Sequence, residues 1–264
     1  MKETRYFFVP DAENQTELPT DEAMHAMRVL RLKSGDELFL MDGEGNYFRG
    51  KVTVAATHHC YYEIIEKLPQ QRQWKGHLHL GIAPTKMMDR IEWMMEKATE
   101  IGIDEVSFLN CKFSERRLVK LVRLDKIVTA AVKQSHKAWK PKVNEMVHFD
   151  AFLKQPIEGR KYIAHCYEEV PRVNLFDELR KPSDTDDATV LVGPEGDFRQ
   201  TLMVSFSFLT CNCWSCSLGM VSISGCQCSP SGLMVAIIFS SVISYSLFGL
   251  SYSIIVIVVL TASS

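Results

Sequence analysis

Past Arg199 the chain has no charged side chain at all. Gln200–Ser264 lacks lysine, arginine, aspartate, glutamate and histidine, and all 30 basic and 32 acidic residues lie within Met1–Arg199. That absence removes side-chain ion pairing, and charge neutralisation of a polyanion, from the last 65 residues. It also leaves no flanking cations to orient a membrane segment, although Leu233–Leu260 is uncharged and long enough to span a bilayer. The other terminus lacks something too. Met1-Lys2-Glu3-Thr4-Arg5 has no apolar core behind it, so no secretory leader is expected. Within the charged part the cysteines are few and unpaired by spacing (Cys60, Cys111 and Cys166), which suits reduced thiols in a cytoplasm. No G-x-G-x-x-G or P-loop pattern is present, so dinucleotide and nucleoside triphosphate sites lose support. Nor does any serine, histidine and carboxylate set have the local context of a hydrolase triad.

What is present is a concentration of positive charge. The formal net charge is −2, yet Lys112–Lys142 holds ten basic residues against only Glu115 and Asp125. A local excess of this size inside a mildly acidic protein points to a polyanionic partner, with a solvated helix face as the alternative. Lys133, Gln134 and Lys137, followed by Trp139, place cations, an amide and an aromatic ring together, as an RNA surface requires. Arg28, Arg31 and Lys33 would extend that surface in the first part of the chain, with the alternative that Arg28 and Arg31, three apart on one helix, are ordinary solvated residues.

The length of 264 residues fits one large domain or two ordinary ones, and the element pattern favours two. Residues 1–72 read as a small β-rich unit. Arg5–Val9 is a strand stopped by Pro10, and Asp21–Leu30 a helix with Thr20 as N-cap. Glu37–Met41 and Tyr47–Ala55 form a hairpin around Asp42-Gly43-Glu44-Gly45-Asn46. Tyr61–Ile65 is a further strand, and Pro69–Lys75 a linker. From His77 the pattern changes to alternating strands and helices. His77–Ile82 is a strand, and a helix with Ile91, Met94, Met95, Ala98 and Ile101 on one face ends at Gly102. Val106–Leu109 is a strand, Leu118–His136 a basic helix and Lys161–Ala164 another strand. Asn174–Arg180 is a short helix and Ala188–Val192 an apolar strand. A βα rhythm of this kind implies a parallel sheet with its site at the carboxyl ends of the strands, where Gly193-Pro194-Glu195-Gly196 stands. Taken alone that turn is weak evidence, since a strand end that binds nothing is the commoner explanation.

Other groupings carry less. His77 and His79 share a strand face but have no evident third ligand. Cys211, Cys213, Cys216, Cys226 and Cys228 have thiolate-cluster spacing, but they sit among sixteen serines with no cation nearby. No metal is expected at either place.

Five motifs occur in order and at fitting separations: Arg5-Tyr6-Phe7; Arg28-Val29-Leu30-Arg31 with Gly35-Asp36; Lys86–Gly102; Lys133-Gln134-Ser135; and Leu191–Phe198. Together they resemble the RsmE family of ribosomal RNA methyltransferases over about Met1–Phe198. The resemblance implies a PUA-like β-barrel for RNA binding (1–72) followed by a SPOUT-type α/β domain with a parallel sheet and a knotted cofactor pocket (73–198). It implies transfer of a methyl group from S-adenosylmethionine to N3 of a uridine in the 16S rRNA of the small ribosomal subunit, by a cytoplasmic homodimer without a metal or a membrane anchor. Leu191, Val192, Gly193, Pro194, Glu195 and Gly196 would form the first cofactor loop. Arg5, Arg28, Arg31, Lys33, Lys86, Arg116, Arg117, Lys133, Gln134 and Lys137 would contact RNA. No proton acceptor is assigned, since Glu96, Glu100 and Glu195 are carboxylates near motifs and nothing more.

The family continues with a charged helix and a second cofactor loop, whereas this chain continues with the uncharged tail (199–264). A serine- and cysteine-rich run that begins inside a motif is the product expected of an out-of-frame reading, with a membrane anchor or another fusion as alternatives. The second functional reading follows from the tail: an inactive RNA-binding remnant that lacks half its cofactor pocket and the last elements of its sheet.

Overall fold

The computed structural model describes residues 6–72, 74–165, 178, 181, 183–194 and 198, and the backbone of short strands at 209–212, 233–234, 238–243, 252–257 and 261–262. The chain forms two compact units. One comprises Met1–Arg72 with Val128–Lys140, the other Gln73–Ile127 with Pro141–Ser264.

The first unit is a mixed four-stranded sheet in the order β1 (Tyr6–Phe8), β2 (Glu37–Met41), β3 (Asn46–Ala55), β4 (Cys60–Pro69). Alternation along these strands sends Phe7, Leu38, Leu40, Phe48, Val52 and Tyr62 to one face, where they are almost completely buried. Each such side chain contributes about 1.5–3 kcal/mol on leaving water. The β2–β3 turn forms as its residues dictate. Gly43 and Gly45 take φ of 80° and 103°, and the Asp42 carboxylate accepts the N–H groups of Glu44 (2.7 Å) and Asn46 (3.0 Å). The same turn bridges to the end of Val128–Lys140, for Gly45 donates to the Ala138 carbonyl and Lys140 to that of Gly43, both at 2.9 Å.

The expected helix at Asp21–Leu30 is present but divided. α1 covers Thr20–Met24 and widens into a π-turn over His25–Val29, with Leu30 N–H bonded to the His25 carbonyl. Thr20 lies inside the first turn, and Pro19 occupies the cap position without a side-chain bond.

The second unit holds a parallel sheet in the order β10 (Leu209–Asn212), β8 (Arg160–His165), β9 (Ala188–Val192), β5 (Leu78–Ile82), β6 (Glu105–Asn110), β7 (Lys142–His148). α2 (Met88–Ile101) follows β5 and buries Ile91, Met94, Met95 and Ala98. It stops at Gly102, whose φ of 104° lets its own N–H and that of Ile103 both reach the Ala98 carbonyl. α3 begins at Leu121 rather than Leu118 and ends at Ser135. The ten residues between β6 and α3 form a loop pinned by a Cys111–Ser114 turn, in which the Cys111 N–H reaches Ser114 Oγ at 3.0 Å.

Three elements go beyond the sequence-based expectation. β7 is an outer strand with no fully buried residue, so it leaves no apolar alternation to read. α4 (Phe149–Leu153) is a single turn or so, too short for a periodic signal. β10 lies within the uncharged run, which was expected to leave the sheet incomplete. It pairs in parallel with β8 from Leu209↔Tyr162 to Asn212↔His165. An open strand edge accepts any extended backbone that brings no charge against it, and this segment brings none.

Further along the tail, β11 (Leu233–Met234) pairs with β14 (Thr261–Ala262), and β12 (Ile238–Ile243) with β13 (Tyr252–Ile257), both antiparallel. Among the described residues no helix is long and apolar enough to cross a membrane. The helix expected at Asn174–Arg180 and the tail cysteines Cys213, Cys216, Cys226 and Cys228 lie outside the described residues.

Candidate cofactor and RNA site

β9 is flanked on both sides, by β5 and β8, and its carboxyl end delivers the Gly193-Pro194 turn beside the end of β5. The two ends are tied where the Ala83 N–H donates to the Val192 carbonyl at 2.9 Å. Close approach is possible because Gly81 has no side chain. A Cβ there would stand 2.5 Å from Leu191 Cδ2.

Gly193 serves the same purpose one step later. A Cβ on it would lie 3.1 Å from the ring of Phe198, which is 1% exposed and stacks on Phe149 with centroids 4.8 Å apart. The loop therefore leaves β9 at Gly193 and is returned to the core by Phe198. Leu191 and Val192 are buried, so only their backbone groups face the loop, while Gly193 is half-exposed and Pro194 buried. Glu195 and Gly196 lie outside the described residues, as does Arg5.

The β6–α3 loop leaves the sheet from β6, the strand on the far side of β5 from β9. Arg116 donates from Nε (3.2 Å) and Nη2 (2.6 Å) to the Lys86 carbonyl, and Glu115 pairs with Lys86 Nζ at 3.1 Å. The loop after β5 and the loop after β6 are thus clamped together. Two clefts open alongside. A smaller one of about 290 Å3 is lined by Asn110, Cys111, Lys112, Arg117, His148, Phe149, Asp150 and Phe198. A larger one of about 560 Å3 is lined by the cations Lys86, Arg116, Arg117, Lys120 and Arg123, with the carboxylates Glu92 and Glu115 and an apolar remainder. Cys111 is no nucleophile in the smaller cleft. Burial pushes its thiol up to about 12, with the Ser114 hydrogen bond opposing and the Asp150 charge adding.

The expected RNA-contacting residues fall into different environments. Arg28, Arg31 and Lys33 are exposed in the first unit, and Arg31 holds a left-handed φ of 53°. Gln134 is exposed, Lys133 pairs with the nearly buried Glu22 at 2.6 Å, and Lys137 is half-buried, which lowers its pKa. In the second unit Lys86 and Arg117 are exposed and Arg116 is held by its bonds to Lys86.

Trp139 does not present a free face as the sequence suggested. Its ring packs where a Cβ on Gly45 would be, 2.2 Å away, and Arg72 lies 4.3 Å from its centroid. Glu96 and Glu100 both hold Lys97 at 2.8 Å. His77 and His79 are satisfied by Glu105 (3.4 Å) and Ser107 (2.8 Å), and no metal-holding group of three ligands exists among the described residues. Sequence reasoning missed Asn110, His148 and Asp150. Two of them depend on β7 and α4, which had no sequence signature.

Comparison with known proteins accords with this geometry. The RNA methyltransferase domain family matches residues 72–219, and the RNA methyltransferase PUA domain family matches 18–65. The chain belongs to the RsmE family of RNA methyltransferases. For this methyltransferase the first match runs past Phe198 into the uncharged run, which includes β10. A probable rRNA methyltransferase from Porphyromonas gingivalis is 35% identical, with a TM-score of 0.72 over 79% of this chain and 88% of its own. The ribosomal RNA small subunit methyltransferase E of Rickettsia conorii is 28% identical over 71% of this chain and 75% of its own. The enzyme of that name from Neisseria gonorrhoeae, solved bound to S-adenosylmethionine, has the same fold, with 24% identity and a TM-score of 0.66 over 82% of this chain and 90% of its own.

Proposed function

We propose that this methyltransferase transfers the methyl group of S-adenosylmethionine to N3 of a specific uridine in the 16S rRNA of the small ribosomal subunit, and that it works as a cytoplasmic homodimer. The observation that carries the reading is the Gly193-Pro194 turn at the end of β9, held against β5 and backed by Phe198, with a cationic cleft on the adjoining loops. The residues present fit the donor. The Leu191–Pro194 segment would offer its backbone groups to the adenosyl group, at a turn whose path the absence of a Gly193 side chain permits against Phe198.

When bound, S-adenosylmethionine supplies an electrophilic methyl on a sulfonium. The chain's task is positional: to hold the loop rigid, keep the base in line and neutralise phosphates along the approach. Uridine N3–H is a weak acid, so the proton must leave as the bond to carbon forms. No carboxylate is assigned to that role. A base in folded RNA has to be turned out of its stack to reach the turn, which costs a few kcal/mol that phosphate contacts offset.

The test is calorimetric titration of the chain with S-adenosylmethionine, followed by tritium transfer to small ribosomal subunits that lack the modification. Micromolar binding and one methyl per subunit at a uridine N3 are expected. Absence of both would overturn the reading.

A further inference from the structure

Of the cations around the larger cleft, most are already engaged. Arg116 is bound to the Lys86 carbonyl, Lys86 to Glu115, and Arg123 to Glu92 at 2.6 Å. Arg117 differs. Like Lys120 it is exposed and makes no hydrogen bond or ion pair with any described residue, but unlike Lys120 it lines both clefts, the one described residue that does. Its backbone is nonetheless fixed. The preceding residues are held by the buried Ser114, by the Cys111–Ser114 turn and by the two Arg116 bonds.

An exposed guanidinium with its fork unpaired offers two parallel N–H donors in a planar, pre-organised arrangement, the geometry a phosphate takes. The smaller cleft beside it is near the lower end of the size range for small-molecule sites, about 300–1,000 Å3. Its wall includes Phe198, the residue that packs against Gly193 of the candidate cofactor turn. Asn110 and Lys112 supply polar donors there, and Asp150 is the one carboxylate among the described residues that line it.

We infer that Arg117 is the phosphate anchor of the target nucleotide: the RNA strand follows the larger cleft, its phosphate meets Arg117 at the junction, and the base enters the smaller cleft toward Gly193. The inference rests on the RNA methyltransferase reading and specifies which cation seats the substrate. Arg116 and Arg123, by contrast, shape the cleft: Arg123 is paired with Glu92, and the Nε and Nη2 donors of Arg116 are taken by the Lys86 carbonyl.

Binding of a small-subunit rRNA transcript, measured against salt and by phosphate-ethylation interference, tests it with the full chain. In the wild type one ethylated phosphate should block binding strongly. Arg117→Gln should lower the slope of log affinity against log salt by about 1 and abolish the effect of that single ethylation. Arg117→Lys should retain the slope, and Arg123→Gln should retain the interference. Transcript carrying 4-thiouridine should cross-link to peptides containing Asn110–Lys112 or His148–Asp150. If Arg117→Gln folds by circular dichroism and keeps both slope and interference pattern, the anchor assignment fails while the methyltransferase reading stands. Should Arg117→Gln not fold, Arg117→Lys carries the test, and loss of the slope in that folded variant overturns the assignment. Wild-type protein without salt-dependent RNA binding overturns the broader reading and this inference with it.

Discussion

His79 stands in β5 with its ring 2.8 Å from Ser107 Oγ, and Asn144 Nδ2 donates to that same oxygen at 2.8 Å. Burial lowers the His79 pKa from its usual 6.5, Glu105 pulls the other way, and His77 and Lys142 add to the fall. The folded state therefore resists a proton that the unfolded chain accepts. Stability from this group is complete above pH 6.5 and is lost as the pH falls below it. Glu105 behaves in the same direction at lower pH. Burial would raise its pKa, but the Asn144 hydrogen bond, His79 and Lys142 outweigh that and hold it below 4.5. Urea midpoints at pH 7.5 and 5.5 should show the chain weaker at the lower value, and His79→Gln should remove most of that difference. An unchanged pH dependence in the variant would show that other groups cause it. Gly193 permits a second test at this scale. Gly193→Ala would place a methyl 3.1 Å from a Phe198 ring that Phe149 fixes from behind, so the turn must yield. An overpacking cost of about 1 kcal/mol corresponds to roughly fivefold weaker S-adenosylmethionine binding by calorimetry. Equal affinity in the variant would mean the donor does not approach there.

At the scale of elements, legibility followed burial. α2 was readable because one face is apolar at helical spacing and its stop is a glycine; the structure gives Gly102 the left-handed φ of 104° that such a stop demands. Gly102→Ala should therefore cost about 1 kcal/mol, seen as a lower urea midpoint with the slope unchanged. The β2–β3 hairpin was readable for the same kind of reason, through its two positive-φ glycines. β7 and α4 were not, because an outer strand without a buried residue and a helix of five residues obey no period. The division of α1 by a π-turn also left no trace, since widening a helix by one residue preserves its composition. The site inherits this pattern. The β9 turn lies within a motif and Arg116 and Arg117 within the basic run, but the loop that carries those two arginines had no signature of its own, and His148 and Asp150 were hidden with their elements.

For the whole molecule, the break in charge at Arg199 was visible at once, but the path of the chain between units was not. Composition suggested a first domain ending near residue 72, and nothing in the sequence marked Val128–Lys140 as part of the same unit. Three contacts make that segment integral: the backbone bonds of Ala138 and Lys140 to the β2–β3 turn, the Lys133–Glu22 ion pair at 2.6 Å, and the Trp139 ring over Gly45. Glu22 is nearly buried, so without Lys133 it becomes an unpaired carboxylate, a loss of the kind that costs about 3–5 kcal/mol. That is comparable with the entire stability of a domain this small. A fragment of residues 1–72 should accordingly show poor amide dispersion and no cooperative unfolding transition, while adding a peptide spanning 126–140 should restore both. If the fragment alone melts cooperatively with the midpoint of the complemented form, the returning segment is dispensable and the first unit is continuous after all.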